Sequence, residues 1–262
     1  MLQLKKSISL SCLGQPFKKA ILTAARLGAD GVEIDGWGEF RADQMSRTGI
    51  RHVRKLMADL NLKVSAIWFP TRMGYGDLEQ LDRRIEGTKA ALDLAYQLGA
   101  QVVVNRIGQI PVDEGDPRWN TMTQALLDIG YHSQKAGAWL AARTGAESGT
   151  RLQDLIQSLP PRYLTVDFDP AELVINGHSP TEAMAKLGDH VVSFRARDAV
   201  TDLSLGRGVE VELGRGSVDW AGLLGTLEEK NYQGFLTVDR QQSSQPVMDC
   251  GHALEYLTNL FR

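Results

Sequence analysis

Charged residues gather at one end of several short apolar runs. Glu33 and Asp35 close Gly31–Asp35, Asn105 and Arg106 close Gln101–Arg106, and Arg143 closes Ala138–Arg143. Asp167 and Asp169, then Arg195, Arg197 and Asp198, then Asp239 and Arg240 close three later runs. Carboxylates beside a substrate suit proton abstraction and return. Arginines suit a carbonyl, carboxylate or phosphate, because the guanidinium stays protonated and offers a planar fork of donors. Trp68, near the end of Lys63–Phe69, suits a pocket wall against a sugar ring, whereas Trp37 reads as packing. His52, His132 and His252 fall in helical stretches, His178 in a loop and His190 at the start of a run. None closes a run, which argues against a zinc enzyme built on several histidines.

The elements that must position these residues alternate along the whole chain. Eight runs rich in Val, Ile, Leu or Phe read as strands: Lys6–Leu13, Gly31–Asp35, Lys63–Phe69, Gln101–Arg106, Ala138–Arg143, Tyr163–Asp169, His190–Arg197 and Gly234–Arg240. Amphipathic stretches lie between them. Ile50, Val53, Leu56, Met57 and Leu60 recur at helical spacing, as do Leu81, Ile85, Leu92, Ala95 and Leu98. Ser179-Pro180-Thr181-Glu182 carries the signs of a helix start, and Asp219 opens another helix. Eight strand–helix units in 262 residues predict an α/β chain folded as a single (β/α)8 TIM barrel, one domain over 1–262. An open doubly wound sheet is the alternative, but no Gly-rich phosphate loop follows the first run.

In such a barrel the active site lies at the C-terminal ends of the strands, where the charged residues fall. Residues two apart on a strand share a face. Asp167 therefore lies one layer deeper than Asp169, and a carboxylate at that depth needs a partner or a proton. Charges of both signs converging on one rim have two readings, a polar-ligand site or a salt-bridge network that closes the barrel top. Gly214-Arg215-Gly216-Ser217 precedes a helix, and its amides suit an anion, with a plain loop as the alternative.

Composition narrows the partners. Lys and Arg number 29 against 32 Asp and Glu, a formal charge of −3 with both signs mixed, which argues against nucleic acid. No apolar run approaches the roughly 20 residues that span a bilayer, so no membrane partner is expected. Two cysteines, Cys12 and Cys250, make no disulfide framework and favour a reducing, cytoplasmic setting.

Several segments carry a family likeness: Gly28-Ala29-Asp30-Gly31-Val32-Glu33-Ile34, Asp169-Pro170-Ala171-Glu172-Leu173, Arg195-Ala196-Arg197-Asp198-Ala199 and Tyr232-Gln233-Gly234-Phe235-Leu236-Thr237-Val238-Asp239. The most specific is Leu213-Gly214-Arg215-Gly216-Ser217-Val218-Asp219-Trp220, similar to a Gly-x-Gly-x-x-Asp-Trp signature. Together they resemble the xylose-isomerase-like barrels of the sugar phosphate isomerase/epimerase superfamily, over essentially the whole chain.

That resemblance implies one divalent metal, such as Mg, Mn, Co or Zn, held by Glu, Asp, His and Glu on strands five to eight. It also implies a carboxylate pair that shuttles a proton beside a carbonyl. Carried over position by position, the four ligand positions are Arg143, Asp169, Arg195 and Asp239, and the His following the Asp becomes Glu172. A guanidinium has no lone pair to give a metal but brings comparable positive charge. The expectation is no metal, with Arg143 and Arg195 paired to Asp169 and Asp239, and isomerase or epimerase chemistry altered or lost. If the site is catalytic, Asp169, Asp239, Arg143 and Arg195 carry the reaction, while Glu33, Trp68, Glu172 and Arg197 bind substrate. The expected partner is a small polar or anionic carbohydrate-like ligand, with pairing of two copies as in many such barrels. The alternatives are a non-catalytic barrel that binds an anionic ligand or a protein, and a metal held by other ligands such as Glu172, Asp167 or Glu33.

Overall fold

Val102-Val103-Val104 shows why the strands form where they do. A β-branched run this short suits a pleated strand and is buried on both faces, as a strand in a parallel barrel must be. The computed structural model describes residues 5–41, 43–202 and 207–260. Eight parallel strands follow this logic: β1 (Lys5–Ser9), β2 (Gly31–Asp35), β3 (Lys63–Trp68), β4 (Val102–Asn105), β5 (Trp139–Arg143), β6 (Thr165–Phe168), β7 (Val191–Ala196) and β10 (Phe235–Val238). They close into a barrel in which β10 pairs with both β7 and β1. A separate antiparallel hairpin, β8 (Asp198–Asp202) and β9 (Arg207–Val211), follows directly on β7.

Helices cover the outside of the barrel: α1 (Phe17–Arg26), α2 (Arg47–Asp59), α3 (Leu81–Leu98), α4 (Pro117–Ala136), α5 (Gly149–Gln157), α6 (Pro170–Ile175), α7 (Pro180–Leu187), α8 (Trp220–Glu229) and α9 (Pro246–Leu260). Ser179 Oγ caps α7 by accepting from the Glu182 amide at 3.3 Å, with Pro180 in the first turn, as the sequence predicts. Asp219 caps α8 in the same way, and Trp220, Leu223, Leu224 and Leu227 are buried beneath it. The main core is the layer between strands and helices, with Ile8, Val32, Ile67, Val103, Leu140, Val166, Phe194 and Leu236 on the outward strand faces.

Two expectations need correction. The run Lys6–Leu13 is a strand only to Ser9, because Leu10–Leu13 turns into a 3-10 helix that ends at Gly14 in the left-handed region (φ 61°). The β8–β9 hairpin was not expected at all. Its alternation of Val209 and Val211 with Glu210 is a two-residue period, too short a stretch to stand out beside the barrel strands.

The barrel interior is divided. Ala66, Val102, Val104 and Ala141, with Trp68 and Val192 against them, form a small apolar cluster apart from the main core. The remaining interior is polar, with Ser7, Glu33, Asp167, Arg195 and Thr237 all buried. Two register shifts accompany this polarity. One separates Val32 from Glu33 along the β2–β3 pair, and the other separates Val166 from Asp167 along β6–β7. A bulge re-aims the side chain beside it. Here each shift immediately precedes a carboxylate that meets the same arginine.

Candidate functional site

Arg195 stands at the centre of the barrel. It is on β7, level with Thr237 of β10, and is 0 % exposed. Its Nη1 and Nη2 donate to the two carboxylate oxygens of Glu33, a bidentate pair. Its Nε donates to Asp167 Oδ2 at 2.8 Å, and Nη1 lies 3.7 Å from Asp239 Oδ2. Arg143 lies directly against this group. Its Nε donates to Asp167 Oδ2 at 3.0 Å and its Nη1 to Asp239 Oδ2 at 3.4 Å. The guanidinium rests over the Trp68 ring at 3.9 Å. Stacking on an aromatic face suits a planar, weakly hydrated cation.

A second cluster sits beside the first. Arg197 Nη1 donates to Asp169 Oδ2 at 2.6 Å and to Glu172 Oε2 at 3.2 Å. Its Nε donates to Glu210 Oε1 at 3.2 Å. Asp169 also caps α6, its Oδ1 accepting from the Glu172 amide at 3.0 Å. Glu210 gathers Arg240 at 3.1 Å and the amides of Gln241 and Gln242.

The pairing therefore differs from expectation in one respect. Arg143 and Arg195 do share Asp239, but Asp169 belongs to Arg197, and the carboxylate between the two arginines is Asp167. Strand alternation explains the exchange: Arg143 is level with Asp167 in the β5–β6 register, whereas Asp169 lies past the end of β6. Glu33 and Arg197, read as substrate contacts, are buried and engaged in ion pairs. Glu210 escapes a reading of the strand ends because it comes from the hairpin.

Charge balance sets the ionisation of the cluster. Burial alone pushes the Asp167 and Asp239 carboxyls up. The guanidiniums of Arg195 and Arg143 outweigh it and hold both below the ordinary carboxylate range. Ser193, level with Asp167 in the β6–β7 register, lowers it further. For Arg195 the order is the same: burial disfavours its charge, and Asp167, Glu33 and Asp239 more than restore it.

The Gly214–Ser217 turn does bind an anion, and the anion is the chain's own. Asp198 Oδ2 accepts from the amides of Gly214 and Gly216 at 3.0 Å each and from Trp220 Nε1 at 3.1 Å, while Oδ1 accepts from the amide of Val218 at 3.3 Å. Gly216 is required there, since any Cβ would collide with Asp198 Oδ1.

Two clefts open at this end of the barrel. One, of about 350 Å³, is lined by Arg72, Arg106, Arg143, Thr144, Gly145 and Glu172 among others. Glu172 is the most open carboxylate of the arginine clusters, its side chain 25 % exposed against 7 % for Asp239. The other, of about 290 Å³, is bordered by Trp68, Asp239, Arg240 and Cys12. Trp68 thus borders the smaller cleft, while Trp37 stacks on Phe69 at 4.6 Å. Cys12 and Cys250 are free thiols with their sulfurs 3.6 Å apart.

A barrel with its charged groups at the strand C-termini has many relatives, and the sequence profile of the xylose isomerase-like TIM barrel family matches residues 21–260. The chain belongs to that family. A curated relative, inosose dehydratase from Clostridium botulinum, is 22 % identical over 256 residues, covering 86 % of this chain and 82 % of its own. The crystal structure of a xylose isomerase domain protein from Planctomyces limnophilus superposes with a TM-score of 0.86 at 25 % identity, covering 99 % of this chain and 97 % of that one. A D-tagatose 3-epimerase-like protein shares the fold with a TM-score of 0.79 at 18 % identity, covering 98 % of each chain.

The xylose isomerase-like family frames a test of fit for a divalent ion. Of the four positions that the sequence resemblance assigns to ligands, Asp169 and Asp239 offer oxygen, but Arg143 and Arg195 offer only N–H donors. Among the described residues no three His, Cys, Asp or Glu side chains are grouped to hold a metal. The nearest carboxylates already accept from guanidinium. These donors do not fit the ion.

Proposed function

We propose that this chain is a metal-independent member of its family, and that its barrel mouth binds a small polar or anionic carbohydrate-like ligand without metal-assisted isomerisation or epimerisation. One observation carries the reading: the buried Arg195 guanidinium is held by Glu33 and Asp167, with Asp239 beside it. Positive charge there is fixed and fully directed at the protein's own carboxylates. It has no open position in which to polarise a substrate carbonyl, which is what a catalytic metal must keep.

The ligand would sit in the 350 Å³ cleft, a volume at the lower end of small-molecule sites, which span roughly 300–1,000 Å³. Arg72 and Arg106 are exposed there. They suit a carboxylate or phosphate on the ligand, and the relatives named inosose dehydratase support a carbohydrate-like body. A cytoplasmic setting agrees with the two free thiols.

A second reading rests on Glu172. As the open carboxylate on the cleft wall, facing the same space as Arg143, it is the group best placed to take a proton from a bound ligand. One experiment separates the two. Sugar acids and sugar phosphates that raise the melting temperature are incubated with the protein in D2O, with and without Mg²⁺, Mn²⁺, Co²⁺ or Zn²⁺. Stabilisation without deuterium incorporation is the expected result. Incorporation without metal, lost in Glu172→Gln, establishes the second reading. Incorporation that requires metal, or one ion retained per chain after desalting, overturns the proposal.

A further inference from the structure

The N-terminal end of the barrel carries a larger cleft, about 570 Å³, with an unspent positive charge. Lys5, Lys63, Arg162 and Lys230 line it against one carboxylate, Asp189. Lys230 is paired with that carboxylate at 2.7 Å. Lys5 lies over the Phe235 ring at 5.7 Å and Arg162 over Trp139 at 5.3 Å, and neither contact neutralises charge. Lys63 is exposed and makes no ion pair among the described residues. A concave surface lined by one sign of charge concentrates the opposite ion.

The floor of this cleft holds a hydroxyl with no partner. Ser65 is the extra residue of the β2–β3 register shift, where Val32 pairs with Val64 and Glu33 with Ala66. It is 8 % exposed, and its Oγ has no hydrogen bond. A hydroxyl buried without a partner is destabilising and uncommon, which marks Ser65 as a donor open to a ligand. Its neighbour in the cleft, Ser193, is level with Asp167 in the β6–β7 register and helps to hold that carboxyl low.

We infer that this cleft binds the phosphoryl group of a small molecule, with Lys63 and Lys5 supplying charge and Ser65 donating its hydroxyl. The site is distinct from the mouth and does not depend on the proposal made for it. Phosphate offers several acceptor oxygens and takes both point charges and a hydroxyl donor. Trp139 and Phe235 give the remainder of the ligand an apolar surface.

Calorimetric titration of the full chain with orthophosphate, pyrophosphate and glucose 6-phosphate at low salt tests this. Saturable binding is expected at this cleft, at least tenfold weaker in Lys63→Gln and in Ser65→Ala, and unchanged in Lys18→Gln, an exposed lysine of α1 that lines neither this cleft nor the mouth. Ser65→Ala removes an unpaired polar atom and is expected to fold at least as stably as the parent. Equal affinity for orthophosphate and glucose 6-phosphate identifies a plain phosphate site, and tighter glucose 6-phosphate identifies a phosphorylated metabolite. Both support the inference. No saturable binding, or binding lost in Arg106→Gln at the mouth and retained in both cleft variants, overturns it.

Discussion

The buried arginine cluster beneath the mouth and the opposite end of this barrel treat charge in opposite ways. At the mouth, Arg143, Arg195 and Arg197 are buried and each has at least two carboxylate neighbours. Even the amide cradle at Gly214–Ser217 is filled from within, by Asp198. At the other end, lysines face a cleft with one acid among them. Charges that satisfy one another fix a shape and are unavailable to a ligand. Charges left facing water cost the fold little and remain free to bind. Position at the strand C-termini shows where family chemistry is built, but whether a charged group there can act depends on whether its partner is inside the chain.

The strongest way to break this contrast is at Arg195. Arg195→Met leaves Glu33 and Asp167 buried with one guanidinium fewer. Removing one partner of a buried pair typically costs about 3–5 kcal/mol, which urea denaturation would resolve. Adding Glu33→Gln and Asp167→Asn to the same chain removes the stranded charges and is expected to recover part of the loss. A loss below about 1 kcal/mol for the single variant is the range of a solvent-exposed pair and would mean that water reaches this cluster.

Next comes the internal anion. Asp198→Ala strands the amides of Gly214, Gly216 and Val218 and the Trp220 indole N–H, costing roughly 2–3 kcal/mol for the buried donors. Trp220 emission should shift to the blue as the buried indole N–H loses its carboxylate acceptor. An unshifted spectrum with parental stability would show that a solvent anion or water replaces the carboxylate without penalty.

How far these groups could be foreseen varies with the kind of information they need. The barrel was legible, because eight β-rich runs alternating with amphipathic stretches leave few topologies. The convergence of Arg143, Arg195 and Asp239 followed from strand ends, and the depth of Asp167 from alternation. The partner of each arginine was not legible. It depends on register and bulges, set by packing across strands far apart in sequence. Glu210 and Asp198 were hidden for another reason: both act through the β8–β9 hairpin and its following turn, an insertion after β7 that belongs to no strand–helix unit. The family likeness pointed to positions 143, 169, 195 and 239 but could not say which charges would meet.

Acid provides a test without mutation. Asp167 and Asp239 hold their protons less tightly in the fold than in the unfolded chain. Their contribution to stability is therefore complete above the unfolded carboxylate value, about 4, and is lost as pH falls through the lower folded values. The urea midpoint should fall on acidification below about pH 4. In Asp239→Asn, which removes one of these groups, the fall should be shallower. An equal slope in the two proteins would mean that other carboxylates govern acid unfolding.

The smallest expected effect is at the opposite end, and its sign matters more than its size. Lys63 is exposed, lacks an ion pair among the described residues and lines the same cleft as Lys5, Arg162 and Lys230. Lys63→Gln therefore removes repulsion and no attraction. Surface substitutions of this kind fall within about 0.5 kcal/mol, so the variant should be equal to the parent or slightly more stable. The difference should shrink as salt rises from 10 to 500 mM, because exposed charges are screened over a Debye length of about 30 Å at 0.01 M and a few ångströms near 1 M. A clear loss of stability at low salt would mean that Lys63 answers a carboxylate within the fold. The contrast between a self-neutralised arginine cluster beneath the mouth and an open basic floor would then fail at one of its lysines.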